Sequence, residues 1–190
     1  SYNIFNIKLS LKRLIDVLFA LFLLFSFSPV FLLIMAMVRF SSEGPVLFKQ
    51  KRVGLNGKLF TFYKFRSMFI GSDKDANREK RAKEFIMGKK HGIDSTKIIN
   101  EKNITKFGRR IRKYSIDELP QLFNILKGDM SFVGPRPCLP YEWNTYRNWQ
   151  KKRMNALPGL TGLWQISGRS EVNFNDMVIL DIYYIHNVTP

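Results

Sequence analysis

The feature that most constrains this chain is one apolar run near its start, residues 14 to 38, "LIDVLFALFLLFSFSPVFLLIMAMV", whose only charge is Asp16. As a helix rising about 1.5 Å per residue, a run this long can cross a hydrocarbon core about 30 Å thick. Ser28-Pro29 interrupts it near the middle. Proline removes a backbone donor and clashes with the carbonyl four residues back, so a bend is expected there. Ser28, which precedes the proline, is pushed away from helical angles. Residues 14 to 27 alone would reach only about 21 Å. Lys8, Lys12 and Arg13 precede the run, and Arg39, Lys49, Lys51 and Arg52 follow it. Positive charge on both flanks favours keeping both ends on the cytoplasmic side. The run therefore reads as a re-entrant helix-break-helix that dips into one leaflet and returns. A kinked transmembrane helix and a buried soluble helix are the alternatives. The backbone groups freed at the break need partners, and the Ser28 hydroxyl is a candidate. A signal peptide is the poorer reading, because Arg39 and "SSEGP" follow where a small-residue cleavage site would stand.

The rest of the chain is basic. Its 190 residues carry 31 Lys plus Arg against 15 Asp plus Glu, a net charge of +16. Such a surface attracts phosphate, whether in nucleic acid, anionic lipid or a phosphorylated small molecule, and composition does not choose among them. Cys138 is the only cysteine, so no intrachain disulfide can form. With only His91 and His186 beside it, a structural His/Cys metal site is not expected. The length suits one core, with residues 1–40 as a membrane helix and 41–190 as the folded domain.

Two strand-like runs flank Asn56-Gly57 in "VLFKQKRVGLNGKLFTFYKFRSM". That pair predicts a β-hairpin, because the turn requires positive φ. Phe60 and Phe62 alternate in phase, and Phe65 is off phase. Residues 71 to 106 are polar and read as a surface insertion, with an exposed helix over about 73 to 90 and the alternative of a lid. "FGRRIRKY" predicts a short basic helix with Phe107, Ile111 and Tyr114 on one side. "LPQLFNILKG" predicts an amphipathic helix ended by Gly128. In "VGPRP", two prolines stiffen the backbone around Arg136. A further helix is expected within "YEWNTYRNWQKKRMNAL", a turn-rich loop in "PGLTGLWQISGR", and a last helix in "NFNDMVILDIYYIHN".

Chemistry concentrates in "RKYSIDELPQL", where Asp117 and Glu118 stand beside Arg109, Arg110, Arg112 and Lys113. Ser115 and Glu118 match a capping box. Pro120 argues against that register, since it would clash with the Ile116 carbonyl. A helix starting at Asp117 puts the proline in the tolerant first turn and makes Asp117 the N-cap. In either register the helix end lowers both carboxyl pKa values and keeps the acids ionised. Capping explains one acid, not two, though a purely structural role stays open. Two ionised carboxylates can hold Mg²⁺, which takes protein carboxylates together with substrate phosphates. An Asp can also attack phosphorus and split a transfer into two steps. Nearby cations would offset the charge, and the planar fork of Arg136 suits phosphate.

Five ordered blocks, "KRLIDVLFALFLLFSFSPV", "FYKFRSM", "SIDELPQLFNILKGDMSFVGPRP", "PGLTGLWQISGR" and "LDIYYIHN", closely resemble the bacterial polyprenyl-phosphate phosphoglycosyl transferases of the monotopic superfamily. The resemblance implies an α+β, mostly helical fold, with the re-entrant membrane helix broken at Ser28-Pro29 and joined to a small domain containing the hairpin and amphipathic helices. It implies transfer of a sugar-1-phosphate from a UDP-sugar to polyprenyl (undecaprenyl) phosphate, with UMP released. The step would be ping-pong, through a covalent phosphosugar-Asp intermediate, and would open surface glycan or glycoconjugate assembly. Asp117 would be the nucleophile. Glu118, with Asp117, would hold Mg²⁺. Lys64, Arg112 and Arg136 would bind phosphates, Arg169 would contact the nucleotide, and Asp181 would be a further functional acid. The implied setting is the cytoplasmic face of a bacterial inner membrane, with lipid as a partner and nucleic acid not. Members usually continue past "YYxxN" into another membrane-associated helix, whereas this sequence stops at Pro190. The rival readings are a membrane-bound, Mg-dependent phosphate hydrolase and a non-catalytic basic membrane-docking module.

Overall fold

A computed structural model describes residues 2–72, 76–88, 101–167 and 172–187. The apolar run folds as two helices, α1 (Tyr2–Ser26) and α2 (Ser28–Ser41), whose axes meet at 66°. Phe27 carries the non-helical geometry, φ −96° and ψ 9°. The break thus falls one residue before Ser28, which already belongs to α2. The reason is that Pro29 occupies the first turn of α2, where a missing N–H costs nothing. The carbonyl that Pro29 cannot serve is that of Phe25, and the Ser28 hydroxyl donates to it at 2.9 Å. No single helix among the described residues is long and apolar enough to cross a membrane, but the bent pair together meets the length and composition.

One side of this pair faces protein. Ala20, Phe31, Ile34 and Val38 are buried in a core shared with Phe60, Phe65, Ile111 and Ile125. The other side is bare: Phe22 and Leu32 are exposed, as are Phe25 at 83% and Phe40 at 88%. The pair is therefore not a core helix wrapped by the rest of the chain, and a bare apolar stripe of this extent marks an interaction surface.

Strands β1 (Leu47–Val53) and β2 (Leu59–Phe65) form the expected antiparallel hairpin, with Val53 opposite Leu59. Asn56 and Gly57 take φ of 52° and 80° in the turn. Two arginines tie the helices to this body by donating to carbonyls near helix ends. Arg66, just past β2, donates to Val38 O, Ser42 O and Pro45 O at the end of α2. Arg13 donates to Ile125 O and Leu126 O near the end of α5 (Gln121–Lys127). Asp16, the lone charge of the apolar run, is buried between Lys12, Ser131 and the Phe132 amide.

Helix α3 (Ala76–Ile86) lies in the polar insertion, but it is not simply exposed. Ala82 and Ile86 are buried, and the Phe85 ring packs edge-on against Phe174. Residues 73–75 and 89–100 of that insertion lie outside the described residues. In α4 (Lys106–Lys113), Ile111 and Phe107 face the core, but Tyr114 falls just past the helix and is exposed. Gly128, at φ 88°, ends α5 as expected.

The single helix expected after Leu139 is broken into α6 (Pro140–Thr145) and α7 (Asn148–Lys151), because Tyr146 and Arg147 adopt extended angles. The loop "PGLTGLWQISGR" also holds more structure than expected. Gly159–Thr161 forms β4, parallel to β3 (Ser131–Val133), and Leu163–Ile166 forms α8. Helix α9 (Phe174–Asn187) closes the fold, with the Tyr184 hydroxyl donating to Val133 O. Among the described residues the architecture is a mostly helical α+β fold with two small sheets.

Candidate active site

The site begins on β2. Strand alternation puts Phe60, Phe62 and Lys64 on one face. Lys64 lies over the Phe62 ring, and its Nζ reaches Glu118 Oε1 at 2.6 Å. Asp117 and Glu118 sit in a 3₁₀ turn, Ile116–Glu118, ahead of α5. Neither predicted cap forms. Ser115 is left-handed (φ 56°) and caps nothing through its side chain, and the N-cap of α5 is Pro120 rather than Asp117. Pro120 explains the difference, because it cannot donate to a carbonyl of the preceding turn. The chain before it winds by i→i+3 bonds, Glu118 N to Ser115 O and Leu119 N to Ile116 O, and the α-helix proper starts after it. Both carboxylates are thereby freed from capping.

Arg112 comes from α4, which lies very close to the hairpin's exit. A Cβ at Gly108 would stand 2.0 Å from Ser67 O, so only glycine allows the approach. Thr105 caps the helix by accepting from Gly108 N, and Arg112 Nη1 reaches the Ser67 hydroxyl at 3.4 Å. Arg136 stands on a segment stitched on both sides: Arg52 donates to Pro137 O, Val53 N bonds to Cys138 O, and Gly159 N bonds to Pro135 O. Its stiffness therefore owes as much to these bonds as to the prolines.

The two acids are tuned in opposite directions. Burial raises the Asp117 pKa, Glu118 adds to this, and Lys64 and Arg112 only partly offset it. Burial also acts on Glu118, but Lys64 and Arg136 outweigh it and hold its pKa below the ordinary value. The expectation that both acids are lowered thus holds for Glu118 alone. Burial lowers the Lys64 pKa against the pull of Glu118.

Lys64, Arg112 and Arg136 open on one cavity of about 560 Å³. Its lining also includes the apolar side chains of Leu47, Phe48, Met68, Phe69 and Ile70. Glu118 lines an adjoining recess with Gln121, Gly159 and Leu160, and Arg52 and Arg136 border both spaces. Asp117 is only 5% exposed and lines neither space, but it lies close enough to Lys64, Glu118 and Arg112 for their charges to act on it. The arrangement can hold a diphosphate among cations beside two carboxylates.

Residues 7–190 match the family model for bacterial sugar transferases. The chain belongs to the bacterial sugar transferase family. It is 42% identical over 186 residues to the exopolysaccharide production protein ExoY of Rhizobium meliloti, covering 93% of this chain and 77% of the relative. It is 43% identical over 176 residues to the galactosyl transferase CpsE of Streptococcus agalactiae, covering 92% and 38%. It is 42% identical over 179 residues to an undecaprenyl-phosphate galactose phosphotransferase of Salmonella typhimurium, covering 94% and 37%. The chain thus spans most of ExoY but well under half of the other two.

Of the family-implied site residues, the fold brings together Lys64, Arg112, Asp117, Glu118 and Arg136. Asp181 is not among them: it is buried on α9 against Arg153, 2.6 Å away, and lines neither space. Arg169 lies outside the described residues. The helix break expected at Ser28-Pro29 falls at Phe27, with Ser28 and Pro29 in the first turn of α2. Cys138 is buried, and burial pushes its thiol pKa up to about 12, which makes it a poor nucleophile.

The sequence reading missed Gln121 and Asn124. Both are polar residues on the inward face of α5, interleaved with buried Leu122 and Ile125, and that misplacement was the available signal. Asn124 mimics a strand edge. Its Oδ1 accepts from Tyr63 N at 3.1 Å, and its Nδ2 donates to Thr61 O at 2.7 Å. It thereby sets the register between Lys64 and the acids. Asn124→Asp removes the Nδ2 donor and should cost about 1–3 kcal/mol. Thermal unfolding measures this, and an unchanged midpoint would show that the clamp is dispensable.

Proposed function

We propose that this protein moves a sugar-1-phosphate from a UDP-sugar to a polyprenyl phosphate, releasing UMP, by way of a phosphosugar on Asp117. The observation that carries this reading is the convergence of Lys64, Arg112 and Arg136 on one cavity beside the paired acids. A carboxylate oxygen of Asp117 attacks the phosphorus that bears the sugar. The bond from that phosphorus to the bridging oxygen breaks, and UMP leaves with the electron pair. A polyprenyl phosphate oxygen then attacks the same phosphorus, and the acyl-phosphate bond breaks to restore the carboxylate. Because Asp117 is covered, Lys64 and Arg112 draw aside onto the incoming phosphates as they expose it. Their charge offsets the approach of an anion to an anion.

The donor set suits Mg²⁺. Among the described residues no group of three or more His, Cys, Asp or Glu could hold a metal. Two adjacent carboxylates are what Mg²⁺ uses when substrate phosphates and water complete its shell. Glu118 and Asp117 would hold it, and it would supply charge neutralisation at the diphosphate. Residues 1–40 seat the protein as a re-entrant, monotopic element on the cytoplasmic face, and 41–190 carry the chemistry. The apolar part of the cavity lining, close to the end of α2, receives the first isoprenoid units of the acceptor.

The test uses UDP-galactose with Mg²⁺ and no polyprenyl phosphate. Intact-protein mass should rise by one phosphohexose, and adding undecaprenyl phosphate should discharge it. Steady release of free sugar phosphate with no adduct would identify a hydrolase instead. If galactose is refused, a panel of other UDP-sugars is the same test.

A further inference from the structure

We infer that Gln121 is a direct ligand of the donor's diphosphate, giving its side-chain amide to a phosphate oxygen beside Glu118. The inference rests on the sugar-nucleotide reading above. Gln121 opens α5 and is 2% exposed, yet among the described residues its Nε2 finds no well-formed hydrogen-bond partner. A buried donor without an acceptor is destabilising, and native folds keep few of them. A hydrogen-bonding interaction with the Gln121 amide contributes to the lowered Glu118 pKa, but its geometry leaves Nε2 short of a full hydrogen bond. Turned the other way, its Oε1 would face the carboxylate, so the donor end is the one presented.

The recess it lines has a volume of about 10 Å³. That is room for one oxygen atom, of a water or of a phosphate. Charge favours phosphate when substrate is bound, since Arg52 and Arg136, two cations against the one carboxylate of Glu118, border the same recess and also the large cavity. A non-bridging oxygen entering from the cavity would meet the Arg136 guanidinium and the Gln121 amide together. It would displace any resident water and satisfy the buried N–H. The helix start therefore carries a group that lowers stability without ligand and gains its partner on binding, as binding sites commonly do.

The probe is UDP, which every UDP-sugar contains, titrated with Mg²⁺ present into protein held in lipid nanodiscs. Gln121→Met keeps the shape and removes the amide. It should weaken UDP binding about tenfold, the usual effect of losing a hydrogen bond to a charged group. Its thermal midpoint should stay level or rise. Gln121→Glu puts a negative charge where the phosphate oxygen sits and should weaken binding further. Wild-type affinity in Gln121→Met would overturn the inference and leave the recess to water. A midpoint several degrees lower would also overturn it, by showing the amide to be structural. Wild type that binds UDP but never forms the phosphosugar adduct would sink the transfer reading alone. Wild type that does not bind UDP would sink both.

Discussion

Asp117→Asn is expected to abolish phosphosugar transfer while leaving the protein folded. An amide cannot form the acyl-phosphate, and removing a nucleophile costs roughly 10³-fold or more in turnover. Neither the adduct nor UMP release should be detectable. The stability change should run the other way. The Asp117 pKa is raised in the fold, chiefly by burial. A raised carboxyl pKa gives stability at low pH that is lost as pH rises through the folded value. At neutral pH the ionised Asp117 is therefore a burden, and Asn removes it, so the thermal midpoint should hold or rise. Glu118 has the opposite sign, since its lowered pKa gives stability that is lost as pH falls through the folded value. For the free enzyme, kcat/KM should fall on the acid side with a limb above the ordinary carboxyl value of 3.8. An adduct on the Asn variant would remove Asp117 from the chemistry.

Much of this site was legible because its cues were local. Asn56-Gly57 needs positive φ, Pro29 bends a helix, and "PRP" stiffens a backbone whatever surrounds it. The charge around Asp117-Glu118 showed that the acids had company. The acids' backbone was less legible, because the effect of Pro120 reached further back than one helix turn. It made the preceding segment 3₁₀ and removed both caps that seemed available. The opposite tuning of the acids was not legible at all. It depends on burial and on Lys64, a residue far away in the chain, standing against Glu118. In the sequence Arg52 and Arg66 are two among many basic residues around the hairpin. They serve backbone carbonyls, at Pro137 and at the end of α2, and no local pattern distinguishes a capping arginine from a solvated one. The short parallel pairing of β3 with β4 was hidden for a similar reason: three-residue strands show too little alternation to declare themselves.

Arg153→Met should cause the largest loss of stability among single changes outside the site. Arg153 and Asp181 form an ion pair at 2.6 Å, with side chains 4% and 1% exposed. The guanidinium also lies over the Tyr146 and Phe174 rings, so it joins α9 to the segment after α6. Burial alone would lower the Arg153 pKa, but Tyr146 and Asp181 beside it hold it above its ordinary value. Methionine fills much of the same volume but leaves Asp181 buried without a counter-charge. Breaking such a pair costs about 3–5 kcal/mol. In a chain of this size that lowers the thermal midpoint by roughly 10 °C or more. Arg153→Met with Asp181→Leu leaves no stranded charge and should recover most of the loss, since apolar replacement of a buried pair is often nearly neutral. The double variant also decides what Asp181 is for. If its role is to anchor α9, UMP release measured well below the midpoint should stay near wild type. Recovered stability with lost turnover would instead return Asp181 to the functional acids that the family resemblance implies.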